Sequence, residues 1–144
     1  MSEDPPGWTL AQAGMVASEM IKRALAEKGL KPGHAHVLKM LNDQGPLSQQ
    51  AILEAIGVDP SVLVSLLNDL EGEDLAVRRR NPNDRRRHIV ELSAKGTKLA
   101  GDMNEAIAAG EAELFADLTA DEISTLCGLL NRLKGPQTSC TGED

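Results

Sequence analysis

One segment constrains this chain more than any other. Between Arg78 and His88 stand six arginines, Arg78, Arg79, Arg80, Arg85, Arg86 and Arg87, against a single acid, Asp84. At their centre is Asn81-Pro82-Asn83-Asp84, a run of residues that favour turns for separate stereochemical reasons. Leu75 to Arg80 and Arg86 to Leu92 flank that turn. They carry Val77, Val90 and Leu92, which can pack, so the segment reads as a two-stranded hairpin. A basic run standing alone is usually a solvated loop. Its neighbours decide what this one is.

The chain just before the hairpin reads as two short helices. Ser48 can cap the first, which runs to about Ile56 and stops at Gly57. Asp59 can cap the second, with Pro60 in its first turn, where a missing N–H costs nothing. At 100° per residue, Leu63, Leu66, Leu67 and Leu70 share one face of this helix, which extends to about Glu73. Ser61, Val64, Ser65 and Asn68 share the opposite face. One side packs and the other is small and mostly polar. Two helices joined by a turn of this kind form a helix-turn-helix pattern. The hairpin follows directly, so helix and hairpin can present one joint surface to a duplex. The helix suits the major groove, and an arginine-bearing tip suits the narrower, more negative minor groove beside it.

The remaining segments are helical. Met1 to Gly7 is expected to be a frayed arm, with Trp8 anchoring it or, as the alternative, closing a ligand pocket. Thr9 to Lys28 repeats Leu10, Ala13, Ala17, Met20, Ile21, Ala24 and Leu25 at helical steps. Gly29 to Gly33 reads as a linker. His34 to Asp43 is a shorter helix, broken by Gly45-Pro46. From Ser93 a long stripe of Leu99, Met103, Ile107, Leu114 and Leu118 appears, with Gly96, Gly101 and Gly110 favouring a bend. Thr119 to Glu122 is a capping box for a last helix bearing Ile123, Leu126, Leu129, Leu130 and Leu133, which Gly135-Pro136 should end. The expected fold class is mainly α with a small β-hairpin wing, in a single domain. Residues 34–93 form a winged helix-turn-helix lobe. Residues 9–30 and 97–134 form a helical dimerisation region, and 1–7 and 137–144 are flexible. A single copy would leave an apolar seam along the terminal helices, so Leu10, Ile21, Leu118, Ile123, Leu126 and Leu130 are assigned to a twofold interface. Such a dimer can set two recognition helices about 34–36 Å apart, the spacing of successive major grooves.

Composition narrows the function classes. The 144 residues carry a formal net charge of −7, so the basic hairpin is a local exception in an acidic chain. Bulk acidity opposes indiscriminate binding to nucleic acid, while one dense basic element makes the contact. Trp8 and Phe115 are the only aromatics, too few for platforms that stack single-stranded bases. No apolar run approaches a membrane span, and the N-terminus lacks the pattern of a secretory signal, so a cytoplasmic protein without a membrane partner is expected. No phosphate loop, nucleophile elbow or spaced acid–base pair is present, which argues against an enzyme. No cofactor is expected. His34 and His36 do not face together at helical spacing, so no metal site is assigned. Cys127 falls near the apolar stripe of the last helix and is expected to be buried. Cys140 lies in the tail.

The chain resembles the MarR-type family, the multiple-antibiotic-resistance regulators, from Leu10 to Leu133. The most specific stretch is Leu70-Glu71, Leu75-Ala76-Val77-Arg78, Pro82-Asn83-Asp84-Arg85-Arg86, Val90-Glu91-Leu92-Ser93 and Gly96. Leu118-Thr119-Ala120-Asp121-Glu122 is similar to the start of the family's last helix. The resemblance implies a homodimer acting on double-stranded DNA, usually as a repressor, in many members released by a small-molecule effector, a metal or an oxidant at the junction between lobe and dimerisation region. By position, Arg86 would be the arginine that enters the minor groove and Asp84 the residue that holds it. Arg78 would anchor the base of the wing or touch phosphate. Oxidant-sensing relatives carry a cysteine near the start of the first helix, where this chain has none. Two departures stand out. Asp74 occupies a position that is often glycine, and Val62, Ser65 and Asp69 replace the threonine and arginine common in the recognition helix. Arginine-to-guanine reading is thus unavailable from Pro60 to Asp69, which shifts affinity towards phosphate and minor-groove contacts. A winged helix that binds protein, and an activator or dual regulator, are the alternatives. The first has no use for six arginines in eleven residues.

Overall fold

The computed structural model describes residues 3–138. Along the chain lie α1 (Pro6–Glu27), α2 (Pro32–Gln44), β1 (Leu47–Ser48), α3 (Gln49–Ile56), α4 (Pro60–Gly72), β2 (Ala76–Asn81), β3 (Asp84–Leu92), α5 (Ala94–Leu114) and α6 (Ala120–Thr138). The three strands form one antiparallel sheet in the order β1-β3-β2. The lobe core gathers Val37, Leu38 and Leu41 of α2, Ile52 of α3, and Leu63, Leu67 and Leu70 of α4 against Leu75, Ala76 and Val90. A second, smaller cluster of Leu25, Ala35 and Met103 ties α1, α2 and α5 together.

The caps form as the sequence suggests. Ser48 Oγ accepts from the Ala51 N–H at 3.0 Å, and Asp59 accepts from Ser61 N–H at 2.9 Å. The Thr119–Glu122 box closes in both directions, at 2.9 and 3.1 Å. Several boundaries differ from expectation. Helix α1 starts at Pro6, not after Gly7, because a proline at the first helical position gives up no hydrogen bond. Trp8 is 60% exposed within the single chain, so it anchors nothing there. Strand β1 was not expected: two residues carry no periodicity, yet Leu47 pairs with Val90 and Ser48 with Ile89. Val77 is 49% exposed rather than packed, since alternation along β2 sends its neighbour Ala76 inward. Helix α6 continues through Gly135-Pro136 to Thr138. A proline's φ suits a helix, and with only two residues beyond it the lost hydrogen bond lies in the last turn. Cys127 is exposed in the single chain, because α6 has no buried side chain among those described. Cys140 lies outside the described residues.

Two glycines of α5, Gly96 and Gly110, serve close approach, while Gly101 has nothing within 4 Å of a Cβ, and α5 is a single helix from Ala94 to Leu114. A Cβ at Gly96 would lie 2.0 Å from the Leu75 carbonyl oxygen, and one at Gly110 would meet Met20 Sδ at 2.5 Å. The Ser93 N–H also donates to the Leu75 carbonyl, at 3.0 Å. The first turn of α5 is therefore seated on the connection between α4 and β2. That connection contains Asp74 at φ 59°, the one non-glycine with positive φ among the described residues. Its carbonyl accepts from Ser93 Oγ at 2.5 Å, which helps hold a conformation that glycine adopts more cheaply.

Two substitutions at this seat should move stability in opposite directions in urea unfolding at fixed protein concentration. Gly96→Ala forces backbone apart and should cost about 1–3 kcal/mol or more. Asp74→Gly relieves the left-handed residue and should gain up to about 1 kcal/mol. A neutral Gly96→Ala would contradict the close approach.

Candidate nucleic-acid interface

The exposed surface of α4 and the hairpin stand side by side. Ser61, Val64, Ser65 and Asn68 are all solvent-exposed, opposite the buried Leu63, Leu67 and Leu70. The hairpin register pairs Ala76 with Leu92, Arg78 with Val90, Arg80 with His88 and Asn81 with Asp84, which leaves Pro82-Asn83 as a two-residue tip. Both strands thus reach closer to the tip than the sequence suggested. Asn81 Oδ1 accepts from the Asn83 N–H at 2.9 Å and braces the turn.

The six arginines divide by their partners. Arg78 lies on the inner side of β2 and is held by two residues of α4. Its Nε–H donates to Glu71 Oε1, and its Nη2–H donates to Asn68 Oδ1 at 2.5 Å. Arg78 therefore braces the wing against α4. Arg79 donates to Glu91 across the hairpin at 3.2 Å. Arg86 and Arg87 both lie near Asp84, at 3.8 and 3.4 Å. The hydrogen bond Asp84 makes is with the Arg86 backbone N–H, at 3.1 Å, not with its guanidinium as expected. Asp84 thus shapes the turn and leaves the Arg86 side chain 96% exposed. Arg80 and Arg85 are exposed and take part in no ion pair among the described residues.

A cleft of about 440 Å³ lies between the N-terminal ends of α3 and α4 and strand β3. Its walls include Ser48, Gln49, Gln50, Val64, Arg86 and His88. Gln49 and Gln50 did not emerge from the sequence. They follow the Ser48 cap and carry no charge, and only the fold brings them opposite the wing. Gln49 Oε1 is buried with no hydrogen-bond partner among the described residues.

A second cleft, about 360 Å³, opens where α1, α2, α4 and α5 meet, beside Lys28, Lys31, His34, Asp69, Leu75 and Lys95. His34 Nε2–H donates to Asp69 Oδ2 at 2.9 Å and joins the start of α2 to α4. His34 thus points to α4 rather than to His36, and no cluster of three metal-ligating side chains exists among the described residues. The residues assigned to a dimer interface lie outside both clefts. Leu10, Ile21 and Leu118 are exposed, and Ile123, Leu126 and Leu130 are half-buried.

Comparison with known proteins settles the family. A model of the MarR family matches residues 28–87. Over 128 residues, 88% of this chain and 77% of the relative, the sequence is 31% identical to a Thauera aromatica protein assigned as a transcriptional regulatory protein for the hcr operon. The chain belongs to the MarR family. MarR-family regulators are DNA-binding transcription factors, not enzymes. Two solved structures share the fold. A cysteine-to-serine mutant of E. coli MarR complexed with operator DNA superposes with a TM-score of 0.74 at 23% identity, covering 88% of this chain and 91% of that one. CouR from Rhodococcus jostii RHA1, bound to p-coumaroyl-CoA, gives 0.77 at 23% identity, covering 90% and 91%. Among the described residues no single helix is long and apolar enough to cross a membrane.

The bracing role of Arg78 can be measured without DNA. A double-mutant cycle of Arg78→Ala with Glu71→Ala, read by urea unfolding, should give a coupling of about 1 kcal/mol. The more exposed Arg79–Glu91 pair should give less. Equal, negligible couplings would remove the distinction.

Proposed function

We propose that this MarR-family protein is a sequence-specific repressor that acts as a homodimer on a pseudo-palindromic operator and responds to a small-molecule effector. The observation that carries the reading is the joint surface of α4 and the hairpin. Ser61, Val64, Ser65 and Asn68 face outward from α4, and Arg86 projects from the adjoining wing with almost no contact to the rest of the chain. A side chain 96% exposed contributes nothing to the core, and an arginine held at a hairpin tip suits a narrow minor groove. In this reading α4 enters the major groove, and Arg80, Arg85 and Arg87 meet phosphates. Arg78 and Arg79 are largely committed within the protein. The cleft beside Gln50 and His88 admits the phosphate backbone at the N-terminus of α3.

Residues 34–93 form the DNA-binding lobe, and 9–30 with 97–134 the dimerisation region. Trp8, Leu10, Met15, Val16, Ile21, Leu118, Leu129 and Leu133 are all exposed apolar side chains of α1, α6 and the turn before α6. Their concentration there supports a second copy as the cover. The junction cleft supports the effector. Lys28, Lys31 and Lys95 outnumber Asp69 and Glu73 in its lining and suit an anion, Leu75 and Leu99 give it an apolar wall, and the His34–Asp69 contact connects it to α4. The CoA thioester held by CouR is of the same chemical kind, an aromatic acyl group with anionic phosphates.

Arg86→Ala should cut operator affinity at least tenfold while sedimentation still reports a dimer. Affinity should fall steeply with salt, by a log–log slope of roughly 0.9 per phosphate contact, and Arg85→Ala should lower that slope by about one. Arg78→Ala should leave the slope nearly unchanged. A flat salt dependence, or unaltered binding by Arg86→Ala, would refute the wing reading. For the effector, aromatic carboxylates or their CoA thioesters should raise Tm and release the operator together. Lys95→Ala should weaken both effects.

A further inference from the structure

We infer that the hydrogen-bonding polarity of the recognition face is biased within the protein before DNA arrives: Ser61 presents only an acceptor to a base edge, and Asn68, its oxygen turned to Arg78, leads with its donors. The inference rests on the proposal that α4 occupies the major groove, and it names the base pattern read there.

At Asn68, a guanidinium has donors and no acceptor, so the amide atom that meets Arg78 is the oxygen. Arg78 is itself held by Glu71, which fixes the direction from which it reaches Asn68. The Asn68 NH2 group is left as the free end. A free asparagine reads adenine with both ends of its amide, accepting from N6 and donating to N7. The Asn68 oxygen keeps one lone pair, but it is turned towards Arg78, so the amide is not free to lay oxygen and nitrogen side by side on N6 and N7. It retains two donors, and guanine, with N7 and O6, offers two acceptors side by side. The position that would ordinarily favour adenine is thereby turned towards guanine.

At Ser61 the logic runs the other way. Its hydroxyl donates to Asp59 Oδ1 at 2.7 Å, and its backbone N–H donates to the same oxygen at 2.9 Å. These two bonds, the side-chain one first, hold the Asp59 carboxyl below its ordinary range, so it stays ionised and has no proton to return. The hydroxyl proton is committed, and the Ser61 oxygen offers lone pairs only. The base groups it can meet are amino donors, N4 of cytosine and N6 of adenine. Ser61 and Asn68 are two helical turns apart on nearly the same face, roughly 10 Å along the axis. That separation corresponds to about three base pairs at 3.4 Å each.

Repeated selection from a pool of duplexes with a randomised centre, using the full-length protein, tests this. The wild type should enrich half-sites with a cytosine or adenine at one position and, about three base pairs away, a guanine favoured over adenine by on the order of fivefold or more. Asn68→Asp keeps a partner for Arg78 but offers no donor, and should erase the guanine preference alone. Arg78→Met frees the asparagine oxygen and should turn the preference from guanine to adenine. Ser61→Ala should flatten only the other position. Circular dichroism and sedimentation confirm that each variant is folded and assembled. If Arg78→Met does not fold, Asn68→Asp and Asn68→Ala decide the point at Asn68. A wild-type motif that survives both Asn68 variants with its bases unchanged overturns the inference and leaves DNA binding intact. Failure of the wild type to enrich any duplex overturns the DNA-binding reading and this inference with it.

Discussion

The contact between Gly96 and the carbonyl of Leu75 is the seat on which the rest of the molecule depends. Backbone meets backbone there at a distance that no side chain permits. The carbonyl takes the Ser93 N–H, and the Asp74 carbonyl takes the Ser93 hydroxyl. The same few residues end α4, start β2 and begin α5. A rigid joint at this point transmits the orientation of the long helices to α4 and the wing together. In the proposed dimer, the separation of the two recognition helices is therefore a property of this joint as much as of the helices that pair.

Charge is distributed to the same end. A chain of net −7 attracts no polyanion in bulk, and its acids are used selectively. Glu71 and Glu91 neutralise the arginines nearest the body, Arg78 and Arg79. Asp84 bends the tip without covering the Arg86 side chain. The more exposed guanidiniums, Arg80, Arg85, Arg86 and Arg87, thus gather at the outer end of the hairpin. The arginines closer in stiffen the element that carries them.

Much of this was legible in the residues. Ser48, Asp59 and Thr119 announced their helices because a cap is a local device. The apolar face of α4 followed from periodicity alone. The hairpin was visible through Asn81 to Asp84, although pairing carried its strands further in than turn chemistry indicated. What was hidden required a partner distant in sequence. The family resemblance left Arg78 between anchoring the base of the wing and touching phosphate, and its partners Glu71 and Asn68 appear only in the fold. Gly96 looked like a weakness in α5 until Leu75 was placed against it. Gln49 and Gln50 carried no signal, and Leu47–Ser48 is too short to have a pattern. Cys127 was misjudged because a stripe on a helix says that something covers it, not that the same chain does.

Helix α6 carries the consequence of that last point. Nineteen residues long, it has no buried side chain among those described and no substantial packing against its own chain. In proteins most helical stability comes from packing of an apolar face rather than from propensity. In the proposed dimer its order is supplied by the second copy, which makes secondary structure a function of copy number. Such a dimer would lose part of its own fold on dissociation at low abundance, and occupancy of a two-fold site would then fall with the square of concentration. A cell holding this regulator near its dimerisation threshold would read modest changes in its synthesis as sharp changes in gene control.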